Sequence, residues 1–115
     1  MFQPTLPSIS VADLAQKLAE APESLQLVDV REPEELAIAQ LPGSISLPLS
    51  QYEVWSQDIH TRLNATQEIV VLCHHGMRSA QMCQWLLGQG FTQVKNITGG
   101  IDAYSVYVDT TVPRY

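Results

Sequence analysis

The sequence is poor in positive charge. Six Lys and Arg residues stand against twelve Asp and Glu residues, and the formal net charge is −6 at pH 7. The few cations form no cluster, so we expect no binding to nucleic acid, where affinity comes mainly from neutralised phosphates. We expect no binding to anionic membranes for the same reason. An anionic substrate would therefore need a local positive site.

Long apolar runs and cysteine are also scarce. No stretch of about 18 apolar residues is present, so we expect no membrane span. Residues 1–5 lack the basic start and apolar core of a signal peptide. The two cysteines, Cys73 and Cys83, are too few for a disulfide framework. These features predict a cytoplasmic protein with reduced thiols.

The pattern of apolar residues and breakers predicts alternating strands and helices. The 115 residues suit a single domain, 1–115, and just under half of them are apolar. The predicted strands lie around residues 8–9, 25–30, 45–47, 68–72 and 94–97. The predicted helices lie between Ser10 and Pro22, from about 33 to 39, within 50–63, from 78 to Gly88 or Gly90, and over 101–108. This alternation predicts an α/β fold with a central five-stranded parallel sheet and helices on both faces.

The stretch that carries most chemical information is residues 70–79, VVLCHHGMRS. An apolar strand leads into Cys73, and a helical pattern begins a few residues later. Such a strand delivers its following residue to the carboxyl edge of a parallel sheet, where open α/β folds place their sites. The N–H groups of the loop and of the first helical turn would face the sulfur and could hold a thiolate or an anion.

The residue types in this loop suit a reactive cysteine. Helix N-termini and nearby cations favour the thiolate, which is the nucleophilic form. Gly76 allows backbone angles that bring N–H groups together, and Arg78 adds a fork of donors matched to oxyanions. From this shape alone, thiosulfate and phosphate both remain possible ligands. The predicted anion-binding loop comprises His74, His75, Gly76, Met77, Arg78 and Ser79.

Four segments in order resemble the signatures of one family. Residues 27–35 (LVDVREPEE) and 41–49 (LPGSISLPL) resemble its first two motifs. The Cys73 loop with Gly76, Arg78 and Ser79 resembles its active-site loop, and residues 90–91, 94 and 99–101 resemble its closing segments. The chain thus resembles a single-domain rhodanese-homology protein, a sulfurtransferase, over nearly its whole length.

The resemblance implies a two-step reaction through a persulfide on Cys73. The donor would be a small sulfur anion such as thiosulfate. The acceptor would be cyanide in an assay, and a thiol or a sulfur-carrier protein in cells. The loop amides would stabilise the anionic persulfide. No cofactor and no metal are implied, and we expect a monomer or a weak homodimer.

Two other functions compete with this interpretation. One is a small phosphatase or arsenate-reductase-type enzyme that uses the same loop. The other is a non-catalytic interaction module on the same fold. Six residues from Cys73 to Arg78, and Leu72 in place of a preceding histidine, resemble the sulfur-transfer branch and not the phosphatases. The presence of the cysteine argues for activity.

Several residues near the loop have structural alternatives. Asp29 and Arg31 end a strand at the same sheet edge, where they could brace the loop or form only a local ion pair. Gly99 and Gly100 could form a turn or allow close approach to the loop. Cys83 lies on the apolar face of its helix and is expected in the core. The acidic residues Glu32, Glu34 and Glu35 are expected to serve a helix N-terminus.

His74 and His75 raise the question of a metal site. Adjacent loop residues point apart, and no spaced Cys/His pair occurs elsewhere, so we expect no zinc site. We expect instead that one or both add positive potential when protonated, with titration near pH 6.5.

Overall fold

The computed structural model describes residues 6–115. Its strands are β1 (Ser8–Ile9), β2 (Leu25–Asp29), β3 (Ile45–Ser46), β4 (Glu68–Leu72) and β5 (Val94–Ile97). Its α-helices are α1 (Val11–Glu20), α2 (Pro33–Ile38), α3 (Tyr52–Trp55), α4 (Ile59–Arg62), α5 (Met77–Gly88) and α6 (Gly100–Tyr107). Short 3-10 turns cover Pro22–Ser24, Leu49–Gln51 and Ser56–Asp58. No helix in this part of the chain is both long and apolar enough to span a membrane.

The five strands form one parallel sheet in the order β1-β5-β4-β2-β3. The predicted five-stranded parallel sheet is confirmed. β4 lies at its centre, and its last four residues, 69–72, are buried. A strand that is covered on both faces typically has a continuous run of apolar residues, and β4 has such a run. The sheet therefore holds the residue after β4, Cys73, at the middle of its carboxyl edge.

Successive side chains of β4 point to opposite faces of the sheet and divide the core in two. Ile69 and Val71 pack in a cluster with Trp55, Met82 and Leu86, which come from α3 and α5. Val70 and Leu72 pack in a second cluster that α1 and α6 cover through Val11, Leu14 and Ile101. Helices thus lie on both faces, as the sequence predicts.

Local signals start two of the helices at the predicted positions. Ser10 Oγ accepts a hydrogen bond from the Asp13 N–H at 3.1 Å, which caps α1. At α2, Pro33 occupies the first turn, and the Glu32 N–H donates to Glu35 Oε1 at 3.1 Å.

The prediction of one helix within residues 50–63 is wrong in detail. The segment is broken into α3, α4 and 3-10 turns, because Gln51 and Asp58 depart from helical backbone angles. Trp55 turns into the core and donates its indole N–H to the Pro48 carbonyl at 2.7 Å. Ser50 donates its hydroxyl to Glu32 and does not cap α3.

Candidate active site

Cys73 occupies the short connection between β4 and α5. Gly76 precedes α5 with φ of 105°, a left-handed conformation that favours glycine. This conformation turns the Gly76 N–H onto the Cys73 Sγ at 3.0 Å. The expectation of a backbone N–H facing the sulfur is confirmed. The sulfur therefore lies at the N-terminus of a twelve-residue helix, where the helix macrodipole places partial positive charge.

A hydroxyl and an amide support this arrangement. Ser79 Oγ lies 3.2 Å from Cys73 Sγ and donates to Asn96 Oδ1 at 2.5 Å. The Asn96 amide nitrogen donates to the Gly76 carbonyl at 3.0 Å. Ser79 thus lies where its hydroxyl could turn toward an ionised sulfur. Asn96 could not be predicted from sequence as part of the site, because it lies on β5 and no motif marks it.

The first turn of α6 packs against the loop backbone. The Ile101 N–H donates to the Cys73 carbonyl at 2.9 Å, and the Asp102 N–H donates to the His74 carbonyl at 3.1 Å. A Cβ on Gly100 would lie 2.4 Å from the His74 carbonyl oxygen and 2.5 Å from that of Cys73. Both interpretations of this glycine pair therefore apply, since Gly99 lies in a turn and Gly100 closely approaches the loop backbone.

Arg78 is held by Glu35. Its two terminal nitrogens donate to the two carboxylate oxygens at 2.6 and 2.8 Å. The guanidinium side chain is 35% exposed and the carboxylate 18%. The hydrogen bonds from Arg78 lower the pKa of Glu35 to about 2 despite partial burial, and the same contacts raise the pKa of Arg78.

This pair changes the interpretation of both residues. Glu35 does more than serve the start of α2, because its carboxylate also binds Arg78 in the first turn of α5. The charge of Arg78 is balanced, so the guanidinium is not an isolated positive site. A direct contact between Arg78 and a substrate anion stays a prediction. Sequence reasoning missed the pair because helix capping already accounted for Glu35.

Asp29 and Arg31 form a fully buried ion pair with a shortest separation of 2.8 Å. Arg31 also donates to the Ala39 carbonyl at 2.8 Å and to the Tyr115 hydroxyl at 2.9 Å. The local ion pair is therefore present. Tyr115 connects this pair to the loop around Cys73, and sequence reasoning did not single out Tyr115.

The two loop histidines are stacked. The ring centroids of His74 and His75 are 3.9 Å apart, and Tyr115 stacks on His74 at 4.0 Å. Burial, followed by the neighbouring His75, lowers the pKa of His74. The expected positive potential is therefore weakened at His74. Within residues 6–115, no group of three or more Cys, His, Asp or Glu side chains is placed to hold a metal ion.

The two cysteines differ in their surroundings. Cys73 is almost fully buried, with 1% of its surface exposed. Met77 is 80% exposed and projects into solvent beside it. Cys83 lies on the buried face of α5 in the core, as predicted, and burial raises its pKa to about 12. Both thiols are free, and only Cys73 has polar groups arranged around it.

Comparison with known proteins relates this geometry to one family. Residues 10–106 match the family described as Rhodanese-like domain. The chain is 47% identical over 109 residues to Rhodanese-like/PpiC domain-containing protein 12, chloroplastic, of Arabidopsis thaliana. That alignment covers 93% of this chain but only 36% of the Arabidopsis protein.

Two further relatives match over most of their own length. A sulfurtransferase of Allochromatium vinosum is 34% identical over 97 residues, covering 84% of this chain and 86% of that protein. The crystal structure of a rhodanese-like domain protein from Staphylococcus aureus matches with a TM-score of 0.76 at 27% identity, covering 96% and 99% of the two chains. The chain belongs to the rhodanese-like family.

Proposed function

We propose that this chain is a sulfurtransferase that carries sulfane sulfur as a persulfide on Cys73. The observation that carries the proposal is the Cys73 sulfur at the N-terminus of α5, with the Gly76 N–H 3.0 Å away. Membership of the rhodanese-like family and the sulfurtransferase of Allochromatium vinosum support the same reaction class.

In the first step, the Cys73 thiolate attacks the outer sulfur of a donor such as thiosulfate. A bond forms between Sγ and that sulfur, the sulfur–sulfur bond of thiosulfate breaks, and sulfite leaves with the electron pair. In the second step, cyanide or a thiolate acceptor attacks the outer sulfur of the persulfide. The Sγ–S bond then breaks and its electron pair returns to Cys73 as the thiolate.

The loop supplies fixed dipoles for both steps. The Gly76 N–H and the start of α5 favour negative charge on the sulfur before and after transfer. Ser79 offers a hydroxyl that can turn to the sulfur when it is ionised. The Glu35 carboxylate fixes the guanidinium of Arg78 in one orientation before any substrate arrives. The proposal includes a thiol or sulfur-carrier protein as the acceptor in a reducing cytoplasm, with the chain acting as a monomer or a weak homodimer.

Mass spectrometry after incubation with thiosulfate tests this function. We expect the wild-type protein to gain one sulfur atom on Cys73 and to transfer it to cyanide. Cys73→Ser should abolish both events, because a hydroxyl cannot form a persulfide. Cys83→Ser is the matched control, since this buried thiol lies in the core. It should leave the sulfur gain in place.

Circular dichroism shows whether each variant is folded. Substantial sulfur transfer by folded Cys73→Ser would contradict the mechanism. Hydrolysis of an aryl phosphate without any persulfide would favour the phosphatase alternative. A folded wild-type protein with neither activity would favour the interaction module.

A further inference from the structure

The segment that follows α6 folds back and brings Tyr115 to the loop around Cys73, here called the catalytic loop (residues 73–79). The Val112 carbonyl accepts a hydrogen bond from Ser105 Oγ at 2.5 Å. Arg114 forms an ion pair with Asp102 at 2.9 Å. These two contacts fasten the segment to α6 and leave the Tyr115 side chain 37% exposed. Tyr115 therefore reaches the site by fixed contacts along the helix.

The Tyr115 hydroxyl joins two ion pairs. It accepts from Arg31 Nη1 at 2.9 Å and donates to Glu35 Oε2 at 2.7 Å. Arg31 is held on its other side by Asp29, and Glu35 is held by Arg78. The result is one continuous chain of hydrogen bonds from the end of β2 to the catalytic loop. Without this hydroxyl, Glu35 loses one of the contacts that fix its position.

The Tyr115 ring has a separate contact with the loop. It stacks on the imidazole of His74 with centroids 4.0 Å apart and planes 10° apart. His74 directly follows Cys73 in the sequence, and its carbonyl is held by α6. The backbone and the side chain of the residue after the nucleophile are thus both fixed, the side chain by Tyr115 and His75.

We propose that Tyr115 is a positioning residue for sulfur transfer, acting on Arg78 through Glu35 and on the loop through His74. This inference rests on the proposed function. Donors that are oriented before the reaction stabilise the transition state without reorganising. Loss of Tyr115 should therefore lower kcat more than it changes the KM for thiosulfate.

Two substitutions separate the hydroxyl from the ring. Tyr115→Phe removes only the two hydrogen bonds, and Tyr115→Leu also removes the stack on His74. We expect about a three- to tenfold lower kcat for Tyr115→Phe and a larger loss for Tyr115→Leu. Tyr107→Phe and Tyr107→Leu are matched controls, because this tyrosine is 79% exposed at the end of α6. We expect wild-type kcat for both.

The measurements are steady-state thiosulfate:cyanide transfer, thermal melting, and the rate at which iodoacetamide alkylates Cys73 at pH 7. We expect the alkylation rates of Tyr115→Phe and Tyr107→Phe to differ, because only Tyr115→Phe removes contacts that hold Glu35 and the loop around Cys73. Equal kcat, KM and alkylation rates in the two series would overturn the positioning role. A second result would also overturn it: a lower kcat of the Tyr115 variants that returns to the wild-type value when the assay is run well below their melting temperatures. Such a loss would reflect stability alone.

Alkylation also separates this inference from the proposed function. If the wild-type protein forms no persulfide, the proposed function fails, yet the alkylation rate still reports on the loop. An unchanged alkylation rate in Tyr115→Phe would then overturn the role of Tyr115. A persulfide in the wild type, with Tyr115 and Tyr107 variants alike in every rate, would overturn this inference alone.

Discussion

The carboxylate of Glu35 joins three other residues at the site. Its two carboxylate oxygens accept from the Glu32 N–H, from both terminal nitrogens of Arg78 and from the Tyr115 hydroxyl. A carboxylate with several donors is stabilised in its charged form. The pKa of Glu35 is lowered to about 2 for this reason, with Arg78 as the largest cause.

The lowered pKa predicts a pH-dependent stability. The pKa is about 2 in the folded state and about 4.5 as its ordinary value, so the stabilisation is fully present above about pH 4.5. It is lost as the pH falls from 4.5 toward 2. For Glu35→Gln, we expect a loss of about 1–2 kcal/mol in the free energy of unfolding at pH 7, since Arg78 is partly exposed to solvent. The difference from wild type should shrink toward pH 2.

Urea unfolding at several pH values measures this effect. Glu34→Gln is the matched control, because Glu34 is exposed on the same helical turn. We expect it to change stability little at any pH. A gap between wild type and Glu35→Gln that stays constant from pH 7 to pH 2.5 would show that the ion pair is not its source.

The element that most restricts the loop is the N-terminus of α6. Gly100 has φ of 62°, and its missing side chain leaves room for the carbonyls of Cys73 and His74. Two different costs would follow from a side chain there. One is the strain of a left-handed conformation, and the other is a clash with backbone atoms that cannot move without shifting β4.

A pair of glycine substitutions separates these costs. Gly43 also has a left-handed conformation, with φ of 78°, but nothing lies within 4 Å of its ideal Cβ. We expect Gly43→Ala to cost about 1–2 kcal/mol from strain alone. Gly100→Ala should cost more, because its Cβ would meet three backbone atoms at 2.4–2.6 Å. Urea unfolding of both variants measures the difference, and equal losses would show that the loop yields to the new side chain.

The elements that could be predicted from sequence are those set by local pattern. The five strands, the position of Cys73 after β4 and the core position of Cys83 all follow from short apolar patterns and breakers. These features depend on neighbours within a few residues. The same local information indicated the Ser10 cap of α1.

The parts of the site that sequence missed depend on distant partners. Glu35 meets Arg78 across 43 positions and Tyr115 across 80 positions. No local pattern distinguishes Glu35 from its acidic neighbours or marks Asn96 on β5. The broken helix within residues 50–63 has a different origin, because its partners are close in sequence. The buried Trp55 and its bond to Pro48 outweigh helical periodicity there.

At the scale of the whole molecule, all six Lys and Arg side chains form ion pairs. Each of the six Lys and Arg residues forms an ion pair with a carboxylate at 3.3 Å or less. The pairs are Lys17–Glu68, Arg31–Asp29, Arg62–Asp58, Arg78–Glu35, Lys95–Glu68 and Arg114–Asp102. Because Lys17 and Lys95 share Glu68, seven of the twelve carboxylates have no cationic partner within residues 6–115. The protein is therefore negative overall, and an anion approaches against this field.

This charge balance predicts an ionic-strength effect. Salt screens repulsion between an anionic reagent and the protein, since the Debye length falls from about 30 Å at 0.01 M to about 8 Å at 0.15 M. We expect the kcat/KM for thiosulfate to rise about two- to threefold over this range. Alkylation of Cys73 by the anion iodoacetate should rise similarly. Alkylation by neutral iodoacetamide is the control and should stay constant, whereas rates that fall with salt would indicate a dominant positive site.

The pairing of β1 with β5 joins the first and the last strand of the described chain, with Ser8 beside Asn96 and Ile9 beside Ile97. During synthesis, β1 cannot pair until β5 has been made. Before that point, one edge of the central strand β4 is also unpaired. Asn96 also links Ser79 to Gly76. The groups around the Cys73 sulfur are therefore all in place only when β5 has paired into the sheet. An unfinished chain carries the Cys73 thiol without the groups that organise it for reaction.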